Sequence, residues 1–362
     1  MGVWEISSCC SNASCSSKST QRAVGSRQSA AKLHDVECLL PAAHCPLMDG
    51  VLVIDKPEGL TSHDVVAAAR RILGEKRIGH TGTLDPLATG VLPLACGRAT
   101  RLVRFLTASD KDYDATMLFG VTTDTLDVTG EETSRSGRAP SRDALVTALR
   151  AFEGEQMQAP PAYSAKKVGG RRAYEFARRD EPVELAPVRV RVAHIELLAF
   201  AGDPSSSLGA SRCRIALTCS AGFYVRSLVR DLGERLGTGA TLEALRRTRS
   251  GDFTLDEAVD LDDVGRKRLD PSDSGSRIPD PALETLLIPL EKLLPAFPAV
   301  AVTAEGLIRV SHGQHVRPAD VAGPMPASPA EWVRLLDGSG ALVGLATPRP
   351  ASGSLHPEVV LI

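Results

Sequence analysis

The sequence has no excess of positive charge. Its 362 residues include 42 Lys and Arg against 44 Asp and Glu, which gives a formal net charge of −2 at pH 7. A protein that coats nucleic acid needs a broad basic surface, so this composition excludes that class and leaves local patches for any such contact. The chain also lacks the run of about 18 consecutive apolar residues that a membrane-spanning helix needs. We therefore expect a soluble, cytoplasmic protein that does not bind a membrane.

Signatures of metal and phosphate sites are missing as well. There is no HExxH motif, no paired CxxC motif and no Gly-rich loop that ends in GK[ST]. Five of the eight cysteines fall in residues 1–47, and their spacing does not match a zinc site. The other three, Cys96, Cys213 and Cys219, are expected to be reduced thiols in the core. We predict no metal, no cofactor and no disulfide framework.

Residues 1–47 are rich in Ser and lack sustained periodicity. They also lack the apolar core of a secretory signal. We interpret this segment as a disordered N-terminal extension or leader, separate from the fold. Two alternatives stay open: an organellar targeting segment, and an extension upstream of a true start at Met48.

Strand patterns are spread along the rest of the chain. Short apolar or alternating runs predict strands at 51–54, 115–121, 188–192 and 213–219. The last two are separated by a segment rich in Gly and Ser, 202–211, which predicts a long hairpin loop. Residues near 133–140 have the composition of a loop.

Helix boundaries are marked by capping residues. Three helices are predicted from these signals: one opened by Thr61 with Asp64 and closed by Gly74, one capped by Ser141, and one from Val225 that ends at Gly237. The helices and strands mix without regular βαβ alternation. This favours an α+β fold over a doubly wound sheet.

Composition divides the chain beyond Met48 into two parts. We predict a large domain over 48–294, in which 265–281 is a polar insertion or linker. Residues 295–362 contain short apolar runs broken by Gly and Pro, which predicts a small β-rich domain.

One carboxylate stands out because of its surroundings. Asp85 lies among Gly79, Gly82 and Gly90 and directly before Pro86, with no second acid nearby. These residues permit a constrained loop that presents Asp85 at a surface. The same composition is also typical of an ordinary turn whose aspartate caps its own backbone, and composition alone favours that interpretation.

A basic segment offers the best phosphate-binding patch. Lys166, Lys167, Arg171 and Arg172 surround a pair of glycines, and Arg178 and Arg179 follow. A solvated helix face is the alternative. Three arginines at 246, 247 and 249 are expected to add to the same surface.

Five motifs, in order, resemble the TruB family of tRNA pseudouridine synthases. The segment from Gly79 to Gly90, followed by Val91-Leu92-Pro93-Leu94, is similar to the catalytic-aspartate motif of that family. The other four segments are Asp55-Lys56-Pro57 with Gly59, Ser109 to Tyr113, Thr123-Asp124-Thr125, and Gly222 to Arg226. The resemblance covers residues 49 to about 253. It implies a pseudouridine synthase fold with a mixed, largely antiparallel central sheet, and a C-terminal domain of the PUA-like, RNA-binding type.

The resemblance also implies roles for individual residues. Asp85 would be the catalytic nucleophile, Arg226 its cationic partner, and Tyr113 the aromatic ring that stacks on the target base. The remaining matched positions are expected to bind substrate: Lys56, His80, Tyr224, Leu245, Lys166, Lys167, Arg171 and Arg172.

The implied activity is the isomerisation of uridine 55 in the T-arm of tRNA to pseudouridine. This reaction breaks the C1′–N1 bond, rotates the uracil and rejoins it through C5, and one carboxylate can start it without a metal or redox carrier. We expect a monomer that needs no obligatory protein partner. A box H/ACA-type catalytic subunit is the alternative enzyme, and a tRNA folding chaperone, acting with or without catalysis, is the alternative of another class.

Overall fold

The computed structural model describes residues 48–164, 166–177, 179, 181, 183, 185–201, 211–268, 285–325 and 330–362. The predictions made for residues 1–47, for Arg178, for the loop at 202–210 and for the linker beyond 268 lie outside these residues. The first part of the predicted linker, 265–268, is the end of a helix.

Ten of the described strands form one mixed sheet. In spatial order they are β14 (Leu287–Pro289), β1 (Gly50–Lys56), β3 (Thr89–Cys96), β12 (Ala240–Ser250), β4 (Lys111–Phe119), β11 (Ser211–Cys219), β10 (Val188–Ala201) and β7 (Gly154–Gln158), with β2 (Ile78–His80) on β3 and β13 (Phe253–Thr254) on β12. The contact between β3 and β12 is parallel, and every other pairing in this sheet is antiparallel. The predicted α+β fold with a largely antiparallel central sheet is confirmed.

Seven α-helices are found in the described residues. They are α1 (Ser62–Leu73), α2 (Val103–Thr107), α3 (Arg142–Arg150), α4 (Ala173–Ala177), α5 (Val225–Arg235), α6 (Leu261–Arg268) and α7 (Ala304–Ser311). Short 3-10 turns cover Gly97–Leu102, Leu290–Lys292 and Pro318–Asp320. None of the helices seen in these ranges is long and apolar enough to cross a membrane.

The predicted capping of α1 is confirmed in detail. The Asp64 N–H donates to the Thr61 hydroxyl (3.1 Å), and the Thr61 N–H donates to the Asp64 carboxylate (2.9 Å). At the other end, Gly74 has a φ of 68° and donates its N–H to the Arg70 carbonyl. This helix begins and ends where local residues satisfy its free backbone groups.

Two small hairpins lie outside the main sheet. One joins β5 (Val121–Thr123) to β6 (Glu132–Arg135), and the other joins β8 (Lys167–Val168) to β9 (Arg171–Arg172). The interpretation of 133–140 as a loop is therefore wrong for its first three residues. All four residues of β6 are exposed, so the strand is held by pairing with β5 and carries no apolar alternation that the sequence could reveal.

The C-terminal region forms a second sheet. Its order is β16 (Val321–Ala322), β15 (Ala299–Val302), β17 (Val333–Leu336), β18 (Leu342–Arg349) and β19 (Ser354–Val360), and the prediction that this region is β-rich is confirmed. An apolar cluster joins this sheet to the central one and includes Val91, Leu102, Leu106, Leu345 and Leu361. This shared core packs the C-terminal sheet against β3, the strand that follows the loop 81–88 between β2 and β3 (the Asp85 loop).

Candidate active site

The loop that carries Asp85 is held from beneath by the start of α1. The Leu84 N–H donates to the Ser62 hydroxyl (2.8 Å), and that hydroxyl donates to the Leu84 carbonyl (3.1 Å). On the other side of the aspartate, the Pro86 carbonyl accepts from the Gly59 N–H (2.8 Å) and from Lys56 Nζ (3.3 Å). Both neighbours of Asp85 are thus fixed, which orients its carboxylate.

Gly90 closes the loop where it enters β3. It lies opposite Arg247 in the parallel pairing of β3 and β12, and its φ is +98°. A Cβ at this position would lie 2.2 Å from the Arg247 carbonyl oxygen. Both the backbone conformation and the close approach of β12 therefore require glycine.

Asp85 forms an ion pair with a fixed arginine. Arg226 Nε lies 2.9 Å from Asp85 Oδ2, and the arginine side chain is only 7% exposed. Its two terminal nitrogens donate to the Thr125 carbonyl (3.0 Å) and the Tyr163 carbonyl (2.8 Å). A second carboxylate oxygen, Asp127 Oδ2, lies 3.8 Å from Arg226 Nη1. The guanidinium is held on all sides, so it presents its remaining donor to Asp85.

Two opposing effects set the charge of Asp85. Burial raises the pKa of its carboxyl, and the nearby Asp127 adds to the rise. The Arg226 guanidinium opposes that rise, because a cation favours the ionised form. The aspartate side chain remains 37% exposed. Asp85 therefore faces a cleft, and its charge depends on the buried side chain of Arg226.

The cleft in front of Asp85 has a volume of about 250 Å³. Tyr113, Tyr224 and Leu245 line it together with Asp85 and Arg226, so five of the predicted site residues meet in one place. Burial raises the pKa of both tyrosines, which keeps their phenols neutral. Tyr224 is also fixed through its backbone, since its N–H donates to the Gln158 side chain (2.8 Å).

Lys56 and His80 lie outside the lining of this cleft. Lys56 is completely buried, and its Nζ donates to the carbonyls of Pro57 (2.8 Å) and Pro86 (3.3 Å). Burial lowers its pKa to about 8. His80 is half-buried at the end of β2, burial lowers its pKa, and its Nδ1 has no hydrogen-bond partner. Lys56 supports the Asp85 loop from below in this structure.

The predicted basic patch is an exposed hairpin with aromatic neighbours. The Arg171 guanidinium stacks 5.0 Å from the Phe176 ring, and that of Arg172 lies 5.9 Å from the Tyr174 ring. Lys166 Nζ donates to the Ala186 carbonyl (2.7 Å). Lys167 pairs with Arg172 through its backbone, and its side chain lies outside the described part of the molecule.

The expectation that three arginines of β12 extend this patch is wrong for Arg247, and for Arg246 and Arg249 it stays a prediction. Arg247 is 1% exposed and lies among the residues that line the cleft. Arg246 and Arg249 pair with Asp55 and Asp112, each at 2.6 Å. Both side chains stay partly exposed, at 41% and 34%.

Sequence reasoning missed three charged residues at the site. Asp127 is buried next to Arg226, Arg247 is buried against the loop that carries Asp85, and Lys111 lines the cleft with a pKa that burial lowers to about 8. For Arg247 a signal existed, because it follows Leu245 by two residues and so shares its face of the strand. In the described ranges, no group of three or more His, Cys, Asp or Glu side chains is arranged to hold a metal ion.

Comparison with known proteins gives consistent matches. The model of the TruB family pseudouridylate synthase N-terminal domain matches residues 70–225, and that of the tRNA pseudouridylate synthase B C-terminal domain matches residues 226–295. The tRNA pseudouridine synthase B of Solibacter usitatus is 44% identical over 315 residues, which is 87% of this chain and 100% of the relative. That of Thermobifida fusca is 41% identical and covers 87% of this chain and 99% of its own length.

A solved structure is similar as well. A chain in the crystal structure of a Cbf5-Nop10-Gar1 complex superposes with a TM-score of 0.64 and 27% identity, covering 87% of this chain and 85% of that one. The family models and the full-length relatives agree with the motifs that surround Asp85. This chain therefore belongs to the TruB family of pseudouridylate synthases.

Proposed function

We propose that this protein converts uridine 55 in the T-arm of tRNA to pseudouridine, with Asp85 as the nucleophile or base that starts the reaction. The observation that carries the proposal is the ion pair between Asp85 and Arg226 in a cleft walled by two tyrosines. Relatives named tRNA pseudouridine synthase B, such as one that is 44% identical, support the choice of tRNA as substrate.

The ion pair suits the chemistry because an attacking carboxylate must be ionised in a cleft that excludes water. Arg226 supplies a fixed positive charge 2.9 Å away, and its other donors are occupied by the Thr125 and Tyr163 carbonyls. It therefore cannot turn away when the carboxylate changes its charge or its bonding during the reaction. A preorganised cation of this kind costs no reorganisation at the moment of reaction.

The residues that line the cleft suit a nucleotide that is flipped out of the stacked RNA arm. A uridine in a folded tRNA arm must be extruded before its C1′–N1 bond can be reached, at a cost of a few kcal/mol. The ring of Tyr113 offers a stacking surface that recovers about 1–3 kcal/mol. We assign Tyr224 and Leu245 to the remaining contacts with the flipped nucleotide, and Tyr113 also to the neighbourhood of C5.

We assign the contacts with the tRNA backbone to the exposed basic residues. Arg171 and Arg172 project from the β8–β9 hairpin near two aromatic rings, and Lys166 and Lys167 lie on the same segment. We propose that this hairpin grips phosphates of the T-arm, and that the domain at 295–362 contributes further RNA contacts to the catalytic domain at 48–294. The protein is proposed to act in the cytoplasm as a monomer, without metal, cofactor or partner protein.

Pseudouridine mapping tests this function. An unmodified tRNA transcript is incubated with the purified chain alone, labelled with carbodiimide and read by primer extension. We expect a single new stop at the T-loop uridine, and none with Asp85→Asn, which should still bind tRNA. A stop with Asp85→Asn would refute the role of Asp85. No stop with the unaltered chain, despite tight binding, would instead favour a folding chaperone or a guide-dependent enzyme.

A further inference from the structure

Arg247 is a buried arginine that lies at the junction of three strands. It occupies β12, where the register places it opposite Gly90 on β3 and opposite Tyr113 on β4. Its side chain is among the largest that are fully buried, with an exposure of 1%. Residues from the Asp85 loop and from the cleft wall therefore flank one guanidinium.

The guanidinium joins the two ends of the Asp85 loop. Nε donates to the Val91 carbonyl (2.7 Å), and Nη2 donates to the Gly82 carbonyl (3.1 Å). These carbonyls lie three residues before Asp85 and six residues after it. Because the guanidinium is planar and its donors are fixed in a fork, it sets the separation and orientation of both ends.

The same side chain reaches the aromatic wall. Tyr113 is the direct cross-strand neighbour of Arg247, so the two side chains lie side by side on one face of the sheet. The charge of Arg247 also opposes the rise that burial causes in the pKa of Tyr113. One residue thus bonds to the loop that carries the carboxylate and lies beside the ring proposed to stack on the base.

A purely structural role explains this residue poorly. Within the described part of the chain, no carboxylate forms an ion pair with Arg247, whereas Arg246 and Arg249 on the same strand each have one. Its charge also lowers the pKa of Lys56, Lys111 and His80, so several of its titratable neighbours are basic groups. A buried charge without a counter-ion is costly, and a well-packed apolar side chain is often at least as stabilising.

We infer that Arg247 is a positioning residue, which fixes both sides of the Asp85 loop next to its cross-strand neighbour Tyr113, so that the carboxylate and the ring face the same nucleotide. The inference rests on the proposed function of the cleft. It assigns to Arg247 no contact with substrate. Its contribution lies in the rate of the chemical step and not in the affinity for tRNA.

Arg247→Lys tests this inference because it keeps the charge and removes the fork. A lysine amine cannot donate to the Gly82 and Val91 carbonyls in the same fixed plane. We expect the single-turnover rate of pseudouridine formation to fall roughly 10- to 100-fold, as displaced catalytic groups do, with the Kd for tRNA unchanged. Arg249→Gln is the matched control on the same strand and should leave the rate unchanged. An unchanged rate in Arg247→Lys would overturn the inference.

Arg247→Gln and two readouts independent of catalysis complete the test. Amide hydrogen exchange of residues 82–91 should be faster in both variants than in the unaltered chain. Tyrosine absorbance should titrate at higher pH in Arg247→Gln than in Arg247→Lys, with Tyr113→Phe identifying the signal among the four tyrosines. Unaltered exchange, or failure of both variants to fold, would leave a structural role and overturn the inference. If the unaltered chain forms no pseudouridine, the proposed function fails, and these two readouts still test the contacts of Arg247.

Discussion

The Asp85 cleft and the β8–β9 hairpin both contain clusters of charge, and they hold that charge in opposite ways. In the cleft, Arg226 and Arg247 are buried, and their nitrogens donate to four backbone carbonyls. On the hairpin, Arg171 and Arg172 are exposed and touch aromatic rings. This difference suits the proposed roles, in which the cleft acts on a single bond and the hairpin holds a flexible, highly charged partner.

The difference has an energetic origin. A buried guanidinium is tolerated only if its donors are satisfied, because an unsatisfied buried polar group costs about 1–3 kcal/mol. An exposed arginine costs little and contributes little until a phosphate arrives. Substitutions in the two regions should therefore change different quantities: the rate of the chemical step in the cleft, and affinity with its salt dependence on the hairpin.

Among substitutions that compare the two regions, the largest effect is expected for Arg226→Met. The variant removes the cation beside Asp85 and leaves the Thr125 and Tyr163 carbonyls without their donors. We expect the single-turnover rate to fall about 10²- to 10³-fold, with tRNA affinity retained. Arg230→Met, one turn further along α5 and partly exposed, is the control. A loss of affinity that accounts for the whole defect would place Arg226 with the hairpin residues instead.

Gly90→Ala should have the next largest effect, on stability. A Cβ would lie 2.2 Å from the Arg247 carbonyl oxygen, and the φ of +98° is itself unfavourable for alanine. Crowding of this kind costs about 1–3 kcal/mol. Gly79→Ala, in the strand β2 that precedes the loop, is the control, since its Cβ would meet nothing within 4 Å. Thermal unfolding of the two variants should differ, and equal melting temperatures would show that the loop can move away from β12.

The sequence predicts best what depends on nearby residues. The capping of α1 by Thr61 and Asp64 involves four consecutive positions, and its prediction is correct. The strand β6 escapes prediction because its four exposed residues are held only by pairing with β5. Likewise, the parallel pairing of β15 with β17 joins residues more than 30 positions apart and has no local signal.

The same distinction applies to the site. A motif is enough to predict that Asp85 and Arg226 meet. Three arginines at 246, 247 and 249 look alike in a sequence, yet only Arg247 is buried. A bulge between Arg247 and Arg249 determines which face of the sheet Arg249 occupies relative to Arg247. The position of this bulge depends on how β12 pairs with β4.

A smaller effect is expected on the hairpin. Replacing Arg171 and Arg172 together by Gln should weaken tRNA binding several-fold and reduce the slope of log Kd against log salt by roughly 1 to 2, about one for each phosphate that is no longer neutralised. The rate at saturating tRNA should be unchanged. Arg189→Gln removes a more exposed arginine from β10 (78% against 44% for Arg171) and is the control. A fall in the saturated rate without a change in salt slope would contradict the assignment of this hairpin to the tRNA backbone.

The smallest effect is the change of the single-turnover rate with pH. It distinguishes the cleft from the hairpin without any substitution, because only the rate is expected to change. Burial raises the pKa of Asp85 above its usual value of 3.8. As the pH falls through that raised pKa, the carboxylate gains a proton and the single-turnover rate should decline. Binding should not follow this decline, because the arginines of the hairpin stay charged over the whole range. Arg226→Met should move the decline to higher pH, since the cation that opposes the rise is gone. A decline at or below the usual aspartate range, or a shift to lower pH in Arg226→Met, would contradict the view that burial and one fixed cation set the charge of Asp85.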